Sequence, residues 1–260
     1  MGVSIISGSS DYPTYRRVAA NRSDRGRILF IEDARNPTLG MWNDGAGVAY
    51  RDCEITFAGL PTVRLDPQGT AASGNGAGQP GTMDTNGVIL KRRIQDSYSG
   101  QFAVEFWLRF THANIQSNGS NWVCCSVYNR DGSTGYHSRL WFDTSGGVTT
   151  TAIRYLASDN TWPTLGTVTD QGNAQHTYTI PGNLNDKTGQ WNYVKLCTDL
   201  STKKYVYAQW NNHFYDMSGI AIQSQASASQ AVMHFSIECA SSGTQSKYIN
   251  IAQVVGSRES

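Results

Sequence analysis

Four stretches set aromatic, cationic and amide side chains at alternate positions, the spacing that puts them on one face of a β-strand. Gln101–Phe110 (QFAVEFWLRF) sets Glu105, Trp107 and Arg109, with Ala103, opposite Phe102, Val104, Phe106, Leu108 and Phe110. His137–Asp143 groups Arg139 and Trp141 with His137 and Asp143, and Thr150–Leu156 has Arg154 on the side opposite Ile153 and Tyr155. Lys204–Trp210 adds Tyr205, Tyr207 and Gln209. Aromatic faces stack on sugar rings, and a guanidinium donates to hydroxyls or acidic groups. Glu105, Trp107, Arg109, Arg139, Trp141, Arg154, Tyr205, Tyr207 and Gln209 are therefore a candidate glycan platform. The competing reading is that this face is covered by the N-terminal segment, a long loop or another subunit.

Hydrolytic chemistry on sugars needs paired carboxyl groups. Asp52 and Glu54, with Thr56, share one face of Ala49–Phe57, opposite Cys53, Ile55 and Phe57, and read more simply as solvent-facing acids. The glycines of residues 67–87 are followed by no Lys-Ser or Lys-Thr, which excludes a phosphate-cradling loop. Asn129-Arg130-Asp131-Gly132 and Asp159-Asn160 offer oxygen ligands for a structural calcium ion, though turn chemistry accounts for both. No His/Cys cluster supports zinc, and no other cofactor is expected.

The elements that must position these residues are strands. Gly189–Asp216 reads as a three-stranded meander: Asn192–Asp199, a hairpin loop at residues 200–203, Lys204–Trp210, and an Asn211-Asn212 turn into His213. Gly26–Asp33, Ala49–Phe57, Leu60–Asp66, Val88–Ile94, Trp122–Tyr128, Val232–Cys239 and Tyr248–Val255 read as further strands. The Gly-rich residues 67–87 and the polar tracts His176–Lys187 and Gln223–Gln230 read as long loops. No helix of two turns with an apolar stripe and no fixed-period repeat is present.

The chain has 260 residues, 39% hydrophobic and 11% aromatic, enough for one large sandwich core. A net charge of +1 with 16% charged residues argues against a nucleic-acid binder or a protein held to membranes by charge. Residues 1–25 read as an N-terminal arm and 26–260 as a single domain. Arg16, Arg17, Arg22, Arg25 and Arg27 make the arm region basic, either a solvated terminus or a segment docking on a neighbouring subunit. The first residues lack the basic and apolar regions of a signal peptide, and no window reaches transmembrane length. The five cysteines, Cys53, Cys124, Cys125, Cys197 and Cys239, lack metal spacing and are expected to be buried free thiols.

FAVEFWLRF at Phe102–Phe110 resembles the F-x-V-E-F-W strand of concanavalin A-like and laminin-G-like jelly rolls. Trp191-Asn-Tyr-Val194, followed by Trp210-Asn-Asn-His-Phe-Tyr215, is similar to their tryptophan strand and its following hairpin. The resemblance covers about residues 88–255 and implies an all-β fold of two antiparallel sheets packed face to face, one often concave. It also implies a choice among lectins, carbohydrate-binding modules, adhesive domains, glycanases and lyases. The alternating carboxylate triplet of the glycanase branch does not occur here. The lyase branch would want Tyr and His with Arg and Gln, which His137, Arg139, Tyr205, Tyr207 and Gln209 could supply. With the arm, the polar loops and the lack of an export signal, the expectation is a non-catalytic structural or adhesive protein of a bacteriophage-type virion surface. It would be a capsid decoration or tail component, assembled with other subunits or as a homo-oligomer, and able to contact cell-surface glycans. The alternatives are a secreted carbohydrate-binding module and a polysaccharide-degrading enzyme.

Overall fold

The computed structural model describes residues 27–35, 39–43, 47–67, 87–94, 99–110, 121–130, 132–143, 152–167, 191–211, 213–226, 232–241 and 248–259. Among these the chain forms strands β1 (Arg27–Glu32), β2 (Trp42–Asn43), β3 (Val48–Phe57), β4 (Leu60–Asp66), β5 (Val88–Ile94), β6 (Gln101–Phe110), β7 (Asn121–Arg130) and β8 (Thr134–Asp143). They continue with β9 (Ala152–Tyr155), β10 (Thr164–Thr167), β11 (Asn192–Asp199), β12 (Lys204–Trp210), β13 (His213–Asp216), β14 (Gln223–Ala226), β15 (Val232–Ser241) and β16 (Ile249–Glu259). No described helix is long and apolar enough to cross a membrane.

Sheet A has the order β13-β12-β11-β6-β16-β4-β3, with β1 also on β16; sheet B has the order β10-β9-β8-β7-β15-β5-β2, with β14 also on β8. The described pairings are antiparallel, and the sheets pack face to face as a jelly-roll β-sandwich. Alternation explains the packing. Phe102, Val104, Phe106 and Leu108 of β6 enter the core beside Val194 and Leu196 of β11. Val123, Cys125 and Val127 of β7 and Met233, Phe235 and Ile237 of β15 meet them from sheet B. Rings cross the interlayer: Phe142 lies 5.0 Å from Trp210, and Phe30 lies 5.5 Å from Phe235.

Tyr205 ties the layers by a polar link. Along β8, β9 pairs from Leu140 onward and β14 pairs up to His137, so the outward-edge backbone of Arg139 falls between them. The Tyr205 hydroxyl accepts the Arg139 N–H at 2.9 Å and donates to the Leu156 carbonyl at 2.8 Å. A partly buried backbone donor is thereby satisfied across the sandwich.

Of the five register shifts in the described pairings, three bear on the expected faces. In β12 the pairing steps from Cys197↔Tyr207 to Thr198↔Tyr205, so Tyr205 points into the core while Tyr207 points outward. In β16 a shift between Ala252 and Val255 contains Gln253, at φ +48°, and returns Val254 to the core. In β3 the register shifts between Asp52 and Thr56. Asp52 accepts the N–H groups of Glu54 and Ile55 and the Asn250 amide, at 2.9, 3.1 and 3.0 Å. This corrects the expected faces of β3: Asp52 is buried, Cys53 and Glu54 are exposed, and no acid pair shares a solvent face.

Gln223–Ala226, expected as part of a loop, pairs with β8 as β14. The expected arm at residues 1–25, including Arg16, Arg17, Arg22 and Arg25, lies outside the described residues, as do 68–86 and 176–187. Arg27 opens β1, exposed, opposite Arg258. The five cysteines are free; Cys124, Cys125, Cys197 and Cys239 are buried, and burial raises each of these four thiols above its ordinary range.

Gly256 sits where the Phe30 ring crosses β16, and a Cβ there would overlap that ring. Gly256→Ala is expected to lower unfolding free energy by about 1–3 kcal/mol through overpacking. Urea denaturation checks this, and an unchanged midpoint would show that Phe30 can move aside.

Candidate functional site

The outward face of sheet A is organised in cross-strand rows. One runs Phe214, Gln209, Lys195, Glu105 and Val255 from β13 to β16. The Lys195 ammonium lies 2.9 Å from Glu259 and 3.6 Å from Glu105, and the Tyr193 hydroxyl donates to Glu105 at 2.7 Å. Burial alone would lower the lysine pKa. Tyr207, Glu105 and Glu259 outweigh it and hold the group above its ordinary range, so it is an ammonium at neutral pH.

The adjoining rows hold Trp107 and Arg109. Trp107, only 2% exposed, stacks on Phe57 at 5.0 Å and packs on Tyr193 at 5.3 Å. Arg109 is buried beside Asn250. Tyr207 lies under Phe214, with ring centroids 4.8 Å apart, and the Gln209 amide donates to the Asn211 carbonyl. The aromatic groups expected to offer stacking faces here are packed against one another. A separate, mainly apolar cavity of about 260 Å³ opens between β2 and β3, lined by Leu39, Met41, Ala49 and Leu90 with Arg51 as its charged group.

The outward face of sheet B carries three rows. The first runs Arg93, His234, Tyr128, His137 and Gln223 across β5, β15, β7, β8 and β14. Tyr128 lies between the imidazoles, 4.3 Å from His137 and 4.6 Å from His234. The second row runs Lys91, Ser236, Ser126 and Arg139, with the serine hydroxyls 2.5 Å apart. The third runs Ile89, Glu238, Cys124, Trp141 and Arg154. Trp141 meets Trp162 edge-on at 5.5 Å, and Arg154 covers it at 5.5 Å.

Glu238 is held by Ser236 at 3.1 Å and Arg139 at 3.9 Å. His137 Nε2, Arg139 Nε and Trp141 Nε1 are buried without a protein hydrogen-bond partner. Burial first, then Arg139 and His234, push the His137 imidazole down to about 3, so it is neutral at neutral pH.

The nine expected platform residues therefore do not share one surface. Glu105, Trp107, Arg109, Tyr207 and Gln209 lie outward on sheet A; Arg139, Trp141 and Arg154 lie outward on sheet B; Tyr205 is in the core between them. The cause is strand order, together with the β12 bulge. Sheet B gathers Tyr128, His234, Gln223 and Trp162 around its three members, residues not included in the expected platform. Alternation marks Tyr128 as opposite Val127 but says nothing of which strand lies beside it. Of the expected calcium loops, Asp131 lies outside the described residues. Asp159 accepts from the Thr161 backbone and hydroxyl, and the Asn160 side chain accepts from Gln223. Among the described residues no group of three His, Cys, Asp or Glu could hold a metal ion.

No family model and no curated protein matches the chain. Solved structures do. A carbohydrate esterase, vb_24B_21 from Shiga toxin-encoding bacteriophage phi24B, aligns over 90% of this chain and 100% of its own, at 12% identity and TM-score 0.53. Alginate lyase vAL-1 from Chlorella virus aligns over 89% and 100%, at 11% identity and TM-score 0.50. At such identities the likeness is one of fold.

Two substitutions test the site's electrostatics. Lys195→Met leaves two buried carboxylates without their cation and is expected to cost about 3–5 kcal/mol in a urea titration; a loss under about 1 kcal/mol would mean the carboxylates reach water. For His137, the unfolded imidazole, near 6.5, takes up a proton before the native one does. The native state should lose stability as pH falls from about 6.5 towards 3, by at most about 1.4 kcal/mol per pH unit. His137→Asn should flatten that limb of the urea-midpoint profile, and an unaltered slope would contradict a buried neutral imidazole.

Proposed function

We propose that the chain is a non-catalytic structural and adhesive protein of a phage-type virion surface, a capsid decoration or tail component, that holds glycans on the outward face of sheet B. The observation that carries the glycan reading is the meeting there of Arg139, Arg154, Trp141, Tyr128, two imidazoles and the Gln223 amide on neighbouring strands. These groups can donate to sugar hydroxyls and pack on ring faces. The non-catalytic reading draws support from Glu105 and Glu259. Both reach the same ammonium, whereas glycoside hydrolysis needs one carboxyl protonated as a general acid. The virion reading draws support from two structures of this fold, one from a bacteriophage and one from a virus, both named for action on carbohydrate.

A second reading, a polysaccharide lyase, is favoured by the row of His234, Tyr128 and His137 beside Arg139 and Gln223. A neutral imidazole could accept a proton next to a sugar carboxylate that a guanidinium neutralises.

Glycan-array binding by the full chain tests the first reading. Arg154→Ala, with its fold verified by circular dichroism, should weaken binding about tenfold, or about 1.4 kcal/mol. No bound glycan would sink the adhesive reading, and release of unsaturated sugar products would establish the lyase instead. Mass spectrometry of purified particles should find the chain among the virion proteins, and its absence would remove the assembly role.

A further inference from the structure

We infer that the corner between β2 and β3 docks a partner protein, which lays an extended segment along β3 with an apolar side chain in the cavity and an acidic one on Arg51. β3 is the last strand of sheet A and β2 the last of sheet B, and among the described residues β3 pairs with β4 alone. The cavity of about 260 Å³ is lined by the consecutive residues Ala49, Tyr50 and Arg51, so the free edge of β3 forms one wall. Leu39, Met41 and Leu90 supply its apolar lining from the β2 side. An open strand edge presents backbone N–H and carbonyl groups that a further strand can pair. The site lies at the sheet edges, apart from the outward face of sheet B, so it stands whether or not the glycan reading does.

Alternation gives the partner its pattern. The pairing of β3 with β4 is regular from Val48 to Asp52, so Ala49 and Arg51 share the side turned between the sheets, where Ala49 packs on the core. A strand added to this edge sets one side chain opposite Ala49, over the cavity, and another two positions away opposite Arg51. The first must be apolar. The second meets an exposed guanidinium that makes no ion pair and no side-chain hydrogen bond among the described residues, and no acidic residue lines the cavity. A carboxylate there gains a charge-assisted pair. The bulge after Asp52 ends the regular edge, which limits the docked stretch to about five residues. Two observations favour a protein over a small molecule. Of the five large apolar side chains exposed among the described residues, three, Trp42, Val48 and Tyr50, lie on β2 and β3. Such a cluster beside a cavity marks an interface and extends beyond what a molecule of the cavity's size covers. The corner is also held in shape: the Asn43 amide donates to the Gly47 carbonyl, its oxygen accepts the Ile89 N–H at 3.1 Å, and the Gly47 N–H donates to Gly87 at 3.0 Å. A partner therefore has little to order on this side.

The test selects short random peptides, displayed on yeast, against the full chain. Enriched peptides should carry an apolar residue two positions from an aspartate or glutamate, and their synthetic forms should bind Arg51→Gln about tenfold more weakly. Arg51→Glu, a change at an exposed side chain, should switch the enriched acid to lysine or arginine while the apolar residue stays. Ala49→Phe, which fills the cavity, should abolish the enrichment, with its fold verified by circular dichroism. If that variant does not fold, the charge reversal at Arg51 still decides. No enrichment over an unrelated protein, or enriched peptides without this pattern, overturns the inference. So does a selection on Arg51→Glu that still returns acids. Sedimentation velocity of the chain alone checks the choice of partner: self-association that Arg51→Glu abolishes would make a second copy the occupant and overturn the inference as well.

Discussion

The outward groups of the central strands have to satisfy one another. β11 is buried along nearly its whole length, and in β16 only Arg258 is exposed. A strand in such a position cannot leave a charge to water on its outer side, so each outward polar group needs a protein partner. Lys195 with Glu105 and Glu259 is the result on sheet A, and Arg139 with Glu238 and the Ser126–Ser236 pair is the result on sheet B. The same constraint converts Trp107 into part of an outer apolar cluster with Phe57, Tyr193 and Ala252. Its indole stabilises the sheet instead of meeting solvent.

That constraint divides the two faces by chemistry. On sheet A the charges are matched, and the lysine stays an ammonium because three neighbours outweigh its burial. Both carboxylates are committed to that one ammonium, and Glu105 also accepts from the Tyr193 hydroxyl. On sheet B the imidazole of His137 is neutral because burial and two adjacent basic groups disfavour its charge. Among the described residues of that face, the buried His137 Nε2, Arg139 Nε and Trp141 Nε1 have no protein hydrogen-bond partner.

Most strands were legible in the sequence, but β2, β10 and β14 were not, β8 begins three residues before the expected His137, and β16 runs four residues past the expected Val255. Asn192–Asp199 and Lys204–Trp210 coincide with β11 and β12, and Gln101–Phe110 is β6. Period-2 alternation is a local property, and these runs are long and strongly patterned. Alternation also correctly joined Arg139 with Trp141, and Glu105 with Trp107. It failed at bulges, because one extra residue reverses the phase: Tyr205 and Tyr207 read as neighbours on one face and lie on opposite sides of β12. Asp52 was misplaced for the same reason, since its side chain holds the bulge that buries it. β14 was missed because QSQA carries no apolar rhythm; it is a strand through its pairing with β8. Which residues share a surface depends on β6 lying between β11 and β16, and β7 between β8 and β15. Those neighbours are far apart in sequence, so no local pattern could assign the candidate platform to its sheets.

The non-local links also bear on the recognition role proposed for sheet B. Arg139 is fixed at its backbone by the Tyr205 hydroxyl arriving from sheet A and at its side chain by Glu238. Gln223 is fixed by pairing with His137 and by its amide contact with Asn160. A ligand that meets side chains already held on paired strands has little to order, so less of its interaction energy goes to restricting the protein. The core and the surface are then one mechanical unit. Tyr205, which contributes no group to the face, acts on it by holding the β8 backbone at the point where neither β9 nor β14 reaches.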